Sequence, residues 1–249
     1  MADQSNILLL GATGRTGSRV LAQLIERGVR VRAIVRARAK IAPELAQNPQ
    51  LTLVEADLLA LTHDQWVEQV RGCDAVLSCL GHVLSLKGIF GRPRDLVTQA
   101  AMRVCGAIEA LRPEKPVKVI FMTSVSVNRP ERENRRGCFE RGFLWVLRAL
   151  VPPAKDNQRV ADFLCCKIGA GYPSVEWAVI RPDSLKVGPV TSYALHESLI
   201  NSVFSPGKTN MANVAHFMCE LATNAQKWAT WKSKLPVIVN DEYSENRNK

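Results

Sequence analysis

No apolar run in the 249-residue chain approaches the roughly eighteen residues that a membrane-spanning helix needs. The N-terminus also lacks the basic, apolar and small-residue layout of a signal peptide. The expectation is a soluble, cytoplasmic protein with no membrane partner. There is no CxxC pair and no metal-ligand spacing among the seven cysteines, Cys73, Cys79, Cys105, Cys138, Cys165, Cys166 and Cys219. Their odd number and their places within apolar elements argue for free, mostly buried thiols rather than a metal centre or a disulfide framework. Aromatic residues are scarce, at 6%, and no aromatic-interleaved basic stripe accompanies the dispersed arginines. The excess of 33 Lys+Arg over 23 Asp+Glu, a net charge of +10, is therefore not read as a nucleic-acid surface. An anionic cofactor or small-molecule substrate accounts for part of it. The arginines between Arg129 and Arg148, interleaved with Glu131, Glu133 and Glu140, read as solvated surface.

What is present is concentrated near the start. Ile7-Leu8-Leu9-Leu10 reads as a buried strand, and Gly11-Ala12-Thr13-Gly14-Arg15-Thr16-Gly17 follows it directly. Its glycines fall at i, i+3 and i+6, where a strand-to-helix crossover must let the backbone and a helix N-terminus meet a pyrophosphate. Ser18 to Arg27 continues with helical spacing, Gly28 ends the helix, and Val29 to Val35 reads as a second strand. The three together make a dinucleotide-binding βαβ unit. At the tip of that second strand, where NAD binders carry an acid for the ribose 2′-hydroxyl, stand Arg36, Arg38 and Lys40, with no acid before Glu44. Cations there suit a 2′-phosphate, so NADP(H) is the expected cofactor. Arg36, nineteen residues after Gly17, is the expected contact; Arg38 and Lys40 read equally well as a solvated turn.

Further along, Leu51–Glu55 reads as a third strand, Asp64–Val70 as a helix with Thr62 and Gln65 placed for a capping box, and Ala75–Leu80 as a buried fourth strand closed by Gly81. A long connection from His82 precedes a helix beginning near Leu96. Val117–Thr123 is a fifth strand ending in Ser124-Val125-Ser126, and a second insertion, 128–153, contains an amphipathic helix from Cys138 that would act as a lid. Val175–Ile180 is a sixth strand stopped by Arg181-Pro182; beyond it come a helix from Asn210 to Thr223, capped by Asn210, a last strand at Pro236–Val239, and a disordered tail after Asp241. The fold class is α/β, a Rossmann-type doubly wound parallel sheet. It forms one domain over 1–249, with a small C-terminal substrate lobe at 183–240.

Through the glycine loop, the Arg36 turn, Asp57-Leu58, Phe121-Met122-Thr123-Ser124 and Trp177-Ala178-Val179-Ile180-Arg181-Pro182, the chain resembles the atypical short-chain dehydrogenases/reductases. The nearest branch is the NmrA-like and biliverdin/flavin-reductase-like proteins, over roughly residues 5 to 190. The resemblance implies that Gly11, Ala12, Thr13, Gly14, Arg15, Thr16 and Gly17 form the pyrophosphate loop and that Arg36 meets the 2′-phosphate. Asp57 and Leu58 would border the adenine, Cys79, Leu80 and Gly81 would pass under the ribose, and Thr123, Ser124 and Pro182 would approach the nicotinamide end. The wider superfamily's catalytic tyrosine and lysine fall on Ala154 and Gln158, which cannot do that chemistry. Tyr172 and Tyr193 lie outside the helix concerned.

The expected activity is an NADPH-dependent oxidoreductase that passes hydride to a small conjugated or carbonyl acceptor without the tyrosine-lysine pair. Ser124 and His82 are the candidate catalytic groups, the latter because an imidazole titrates near neutrality. Asp156, near the start of its helix, is expected to pair with a helix N-terminal dipole. Two alternatives stay open: a non-catalytic cofactor-binding redox sensor, and a redox-neutral isomerase or cyclase on the same scaffold.

Overall fold

Side chains alternate along the first strand, β1 (Asn6–Leu10), so that Ile7 and Leu9 enter one apolar layer and Leu8 and Leu10 the opposite one. A strand buried on both faces must sit inside a sheet covered by helices on each side. The computed structural model, which describes residues 5–81, 94–128, 137–202 and 204–244, has that arrangement. His82 lies outside the described residues, as do most of the connection after Gly81 and residues 129–136 of the second insertion.

The chain runs from β1 through α1 (Gly17–Glu26), β2 (Arg30–Val35), the short α2 (Pro43–Ala46), β3 (Leu51–Glu55), α3 (His63–Val70) and β4 (Ala75–Ser78). It continues through α4 (Leu96–Leu111), β5 (Val117–Met122), α5 (Cys138–Leu150), α6 (Pro152–Asp162) and β6 (Val175–Pro182). Then come β7 (Ser184–Lys186), β8 (Tyr193–His196), β9 (Lys208–Asn210), α7 (Met211–Thr223), α8 (Ala225–Trp231) and β10 (Val237–Asn240). The main sheet has the order β3-β2-β1-β4-β5-β6-β10-β8, parallel except for the β10–β8 edge. Its order reverses between β1 and β4, and the carboxyl ends at such a point form the binding crevice of open α/β sheets.

Local sequence explains the helices that flank this point. In α1 the buried residues Val20, Leu21, Leu24 and Ile25 make one stripe, and α7 packs against that helix with Val214, Phe217, Met218 and Leu221 in the same layer. The predicted capping box on α3 forms, with Gln65 N–H on Thr62 Oγ1 at 3.3 Å and Thr62 N–H on Gln65 Oε1 at 2.9 Å.

The C-terminal quarter differs from expectation in its details. β8 and β10 extend the main sheet beside β6, while β7 and β9 pair with each other. β7, β8, β9 and α8 are short, of three to seven residues, and carry no periodicity long enough to read. Residues 241–243 form a turn of 3₁₀ helix, although the tail after Asp241 reads as disordered from sequence. Asn210 precedes α7 but makes no side-chain capping bond. Its amide instead donates to Pro189 O at 3.0 Å and accepts from Asn240 at 3.1 Å, so a buried asparagine knot takes the side chain from the helix end.

Candidate cofactor-binding site

At Gly11 the backbone turns with φ +81, and a Cβ there would stand 2.8 Å from both the carbonyl carbon and oxygen of Cys79. Only a residue without a side chain lets the exit of β1 lie this close to the exit of β4. A Cβ on Gly17 would fall 2.0 Å from Gly11 O, so the first turn of α1 also sits directly on the loop. Gly14 N–H closes the turn onto Gly11 O at 2.9 Å, and Ser18 N–H onto Gly14 O at 2.9 Å. The N–H groups of Thr13, Arg15, Thr16 and Gly17 meet no acceptor among the described residues. Thr16 at the N-cap makes no side-chain capping bond, and the first turn of α1 has no acid. Unpaired donors at the positive end of a helix dipole, with no internal anion, are an anion site.

A cleft of about 310 Å³ opens from this loop along the carboxyl edge. It gathers Gly11, Thr13, Gly14, Arg36, Asp57, Leu58, Cys79, Leu80 and Gly81, nine of the residues singled out from sequence. Ala12 is fully buried, and Thr16 and Gly17 face the interior; they shape the loop rather than line the cleft, and Arg15 is exposed beside it. Asp57 folds its own turn, with Oδ1 accepting from Leu59 N–H at 2.9 Å. Cys79 faces the cleft with its backbone, since its thiol lies 3.6 Å from Met218 Sδ inside the core and burial pushes its pKa up. Apolar walls come from Ile34, Val35, Leu59 and Leu96, which the sequence reading had not assigned.

The three cations after β2 separate cleanly. Arg38 is turned onto β3: its Nη2 donates to Leu53 O at 2.7 Å, and its Nε lies 3.9 Å from Glu55 Oε2. Arg36 and Lys40 line the cleft, and none of the described residues pairs with either. Sequence spacing alone had left Lys40 undecided. It closes the short 3₁₀ turn at 38–40 that follows Arg36.

Around the ends of β5 and β6 the structure accounts for residues that the sequence could only name. Thr123 is buried, and its hydroxyl and N–H both go to Ile180 O, at 3.2 and 2.8 Å, tying β5 to β6. Ser124 lies just beyond, with its hydroxyl 2.7 Å from that of Ser126. Pro182 is buried at the end of β6, its carbonyl accepting from Val125 N–H at 3.2 Å. Ala154 is buried in α6. Gln158 clamps the chain after β5 at two points: its Oε1 accepts from Asn128 N–H and its Nε2 donates to Asn128 O, each at 3.0 Å, with a further bond to Asp162 at 2.8 Å.

Asp156 does serve a helix N-terminus, but that of α4. Its buried carboxylate accepts from the N–H groups of Val97 and Thr98 at 2.9 and 3.0 Å and from the Thr98 hydroxyl at 2.6 Å. Next to Pro182, Asp183 holds the 201–207 loop through Asn201 Nδ2 at 3.0 Å and Gly207 N–H at 2.9 Å. The fully buried Arg181 donates to Leu235 O, Val127 O and Glu197 O, joining three segments around β6. Sequence reasoning missed these two roles because each partner is distant along the chain. Among the described residues no group of His, Cys, Asp and Glu could hold a metal ion.

These features fit a dinucleotide: a donor-rich helix start for the pyrophosphate, a cleft with apolar walls for the adenine side, and two lining cations that no described residue pairs with. Comparison with known proteins agrees. A search of curated proteins gives no match. Solved structures share the fold. A Rossmann-fold NAD(P)-binding family protein from Shigella flexneri superposes with a TM-score of 0.65 at 20% identity, over 96% of this chain and 95% of that one. A short-chain dehydrogenase/reductase from Veillonella parvula in complex with NADP gives 0.68 at 12% identity, over 96% of each chain. A Streptococcus pneumoniae protein assigned as an NADH-flavin reductase gives 0.65 at 17%, over 95% of this chain and 99% of that one. The model of the NAD(P)H-binding family matches residues 11–225, most of the chain and the whole of the site described above, and the chain belongs to that family.

Proposed function

We propose that the protein is an NADPH-dependent reductase that delivers hydride to a small conjugated or carbonyl acceptor by positioning, without a tyrosine-lysine acid pair. The observation that carries the cofactor choice is the contrast between Arg36 and Lys40, unpaired among the described residues in the cleft, and Arg38, anchored to β3. A dianionic 2′-phosphate gives those two cations a partner; a ribose hydroxyl does not.

Bound NADPH would supply the hydride. The chain's own part is to hold and to order. Gly11 to Gly17 would seat the pyrophosphate on backbone donors, and Leu58 and Leu80 would give the adenine and ribose an apolar bed. Ser124, just past the end of β5, is the hydroxyl that would orient or protonate an acceptor, once it exchanges Ser126 for that partner. Where the superfamily has lysine, Gln158 spends its amide on Asn128, which fixes the chain leaving β5. Orientation of this kind lowers a barrier without any proton relay.

A second reading, a cofactor-binding sensor with no turnover, draws support from that same clamp: the two positions that would bear acid chemistry hold a buried methyl and an amide engaged three times. NADPH oxidation by the purified protein decides between them. Steady consumption with a quinone, flavin, tetrapyrrole or enone supports the reductase. Tight NADPH binding with no consumption across that panel supports the sensor.

A further inference from the structure

None of the described exposed residues of α5 carries a charge. Phe139, Gly142, Phe143, Trp145, Val146 and Leu150 occupy its outward arc, while Leu144 points inward and is fully buried. Surface helices normally place charged residues on that arc. Here Phe139 is 81% exposed, Trp145 72% and Leu150 65%. The apolar surface does not stop at the helix. The half-exposed ring of Phe204, in the loop held by Asp183, lies 5.7 Å from that of Phe139 and 5.0 Å from that of Phe143. A contiguous exposed patch of this size and composition marks an interaction surface.

We propose that this face docks on an anionic lipid surface, with α5 lying in the plane of the headgroups. No helix among the described residues is long and apolar enough to cross a membrane, so the contact is peripheral. Charge selects the occupant. The chain carries +10 overall, and residues 129–148 of the sequence include six arginines against three glutamates. Pressing two such copies together face to face opposes like charges, whereas an anionic bilayer attracts them. An aromatic and aliphatic face on a helix set in basic sequence is the pattern of interfacial helices, whose apolar side chains enter the headgroup and acyl boundary. The inference does not depend on the redox reading.

The molecule contains its own reporter. Of its five tryptophans, Trp66, Trp177, Trp228 and Trp231 are buried, and Trp145 alone is exposed. Mixing the full-length protein with phosphatidylcholine vesicles containing phosphatidylglycerol should shift its emission to the blue and shield it from acrylamide. Pure phosphatidylcholine vesicles should do so at least about tenfold more weakly, and raised salt should reverse the effect. Phe139→Asp and Leu150→Asp, both at exposed positions, should each cut partitioning by about tenfold or more while NADPH binding is unchanged. The proposal is overturned if anionic vesicles leave emission and quenching unaltered. It is equally overturned if Trp145 is already shielded without lipid in a species of doubled mass by light scattering, which would assign the face to a second copy.

Discussion

The two sides of the carboxyl edge are built by different means. On the cofactor side, the elements between Leu10 and Arg36 follow mainly from local sequence: a buried strand, a loop whose glycines permit close contacts, and a helix whose stripe packs inward. Around the ends of β5 and β6 the contacts that hold the chain are mostly long-range. Asp156 caps a helix that starts 60 residues earlier in the chain, Gln158 clamps a segment 30 residues back, and Asp183 gathers a loop up to 24 residues ahead. A pyrophosphate offers the same oxygens in NAD and in NADP, so a short rigid device can bind it. A variable acceptor needs surfaces that long-range contacts can rearrange without disturbing the sheet.

Substitutions can sharpen that contrast. The largest effect is expected in the loop. Gly17→Val forces a branched side chain onto the Gly11 carbonyl and should destabilise the fold by about 4 kcal/mol or more, seen in the urea midpoint. A Cβ on Gly14 comes no closer than 3.2 Å, to Gly11 O, so Gly14→Val should fold yet lose NADPH affinity by at least about a hundredfold in a fluorescence titration. Unchanged affinity in that variant would remove the loop from the site.

Next comes the long-range device of the other side. Asp156→Ala leaves the N–H groups of Val97 and Thr98 without their carboxylate and should cost about 2–3 kcal/mol in denaturant unfolding. NADPH affinity of the folded protein should change far less than in Gly14→Val. If affinity falls as far as stability does, the two sides are not separable.

Ser124→Ala probes the chemistry. If hydride transfer rests on orientation, kcat should fall by no more than about 10², the low end of what a single acid/base group contributes. A loss beyond about 10⁴ with NADPH binding intact would make Ser124 the obligatory acid.

The smallest effect concerns pH. Burial, reinforced by Arg27, holds His216 below its ordinary pKa of 6.5, while Tyr193, its hydrogen-bond partner at 2.9 Å, is pushed up to about 12, chiefly by burial. The unfolded chain therefore binds more protons than the folded one as pH falls below about 6.5, and stability should decline through that window. Urea midpoints at about pH 7.5 and about pH 5.5 should differ less in His216→Gln than in the parent. An unchanged difference would show that His216 does not couple to folding.

The same contrast explains what could be read in advance. Six parallel strands, the glycine loop and the Thr62–Gln65 box follow from periodicity and local spacing, and the structure has them, while Arg36 and Asp57, singled out from sequence, line the cleft. Ile34, Val35 and Leu96 were missed as cleft walls because they looked like ordinary core. Lys40 could not be separated from Arg38, since what divides them is Arg38's bond to Leu53, across a strand pairing. Asn210 read as a cap because it stands where caps stand, but Asn240 competes for it from 30 residues away. His82 and residues 129–136 lie outside the described residues.

The central claim is that the rim of the cleft selects NADPH. Titration of the parent and of Arg36→Ala with NADPH and with NADH tests it most directly. The account predicts that the variant loses about 1.5–3 kcal/mol toward NADPH, roughly one to two decades, and almost nothing toward NADH. Equal losses for both cofactors would contradict it and make Arg36 a structural residue of the turn.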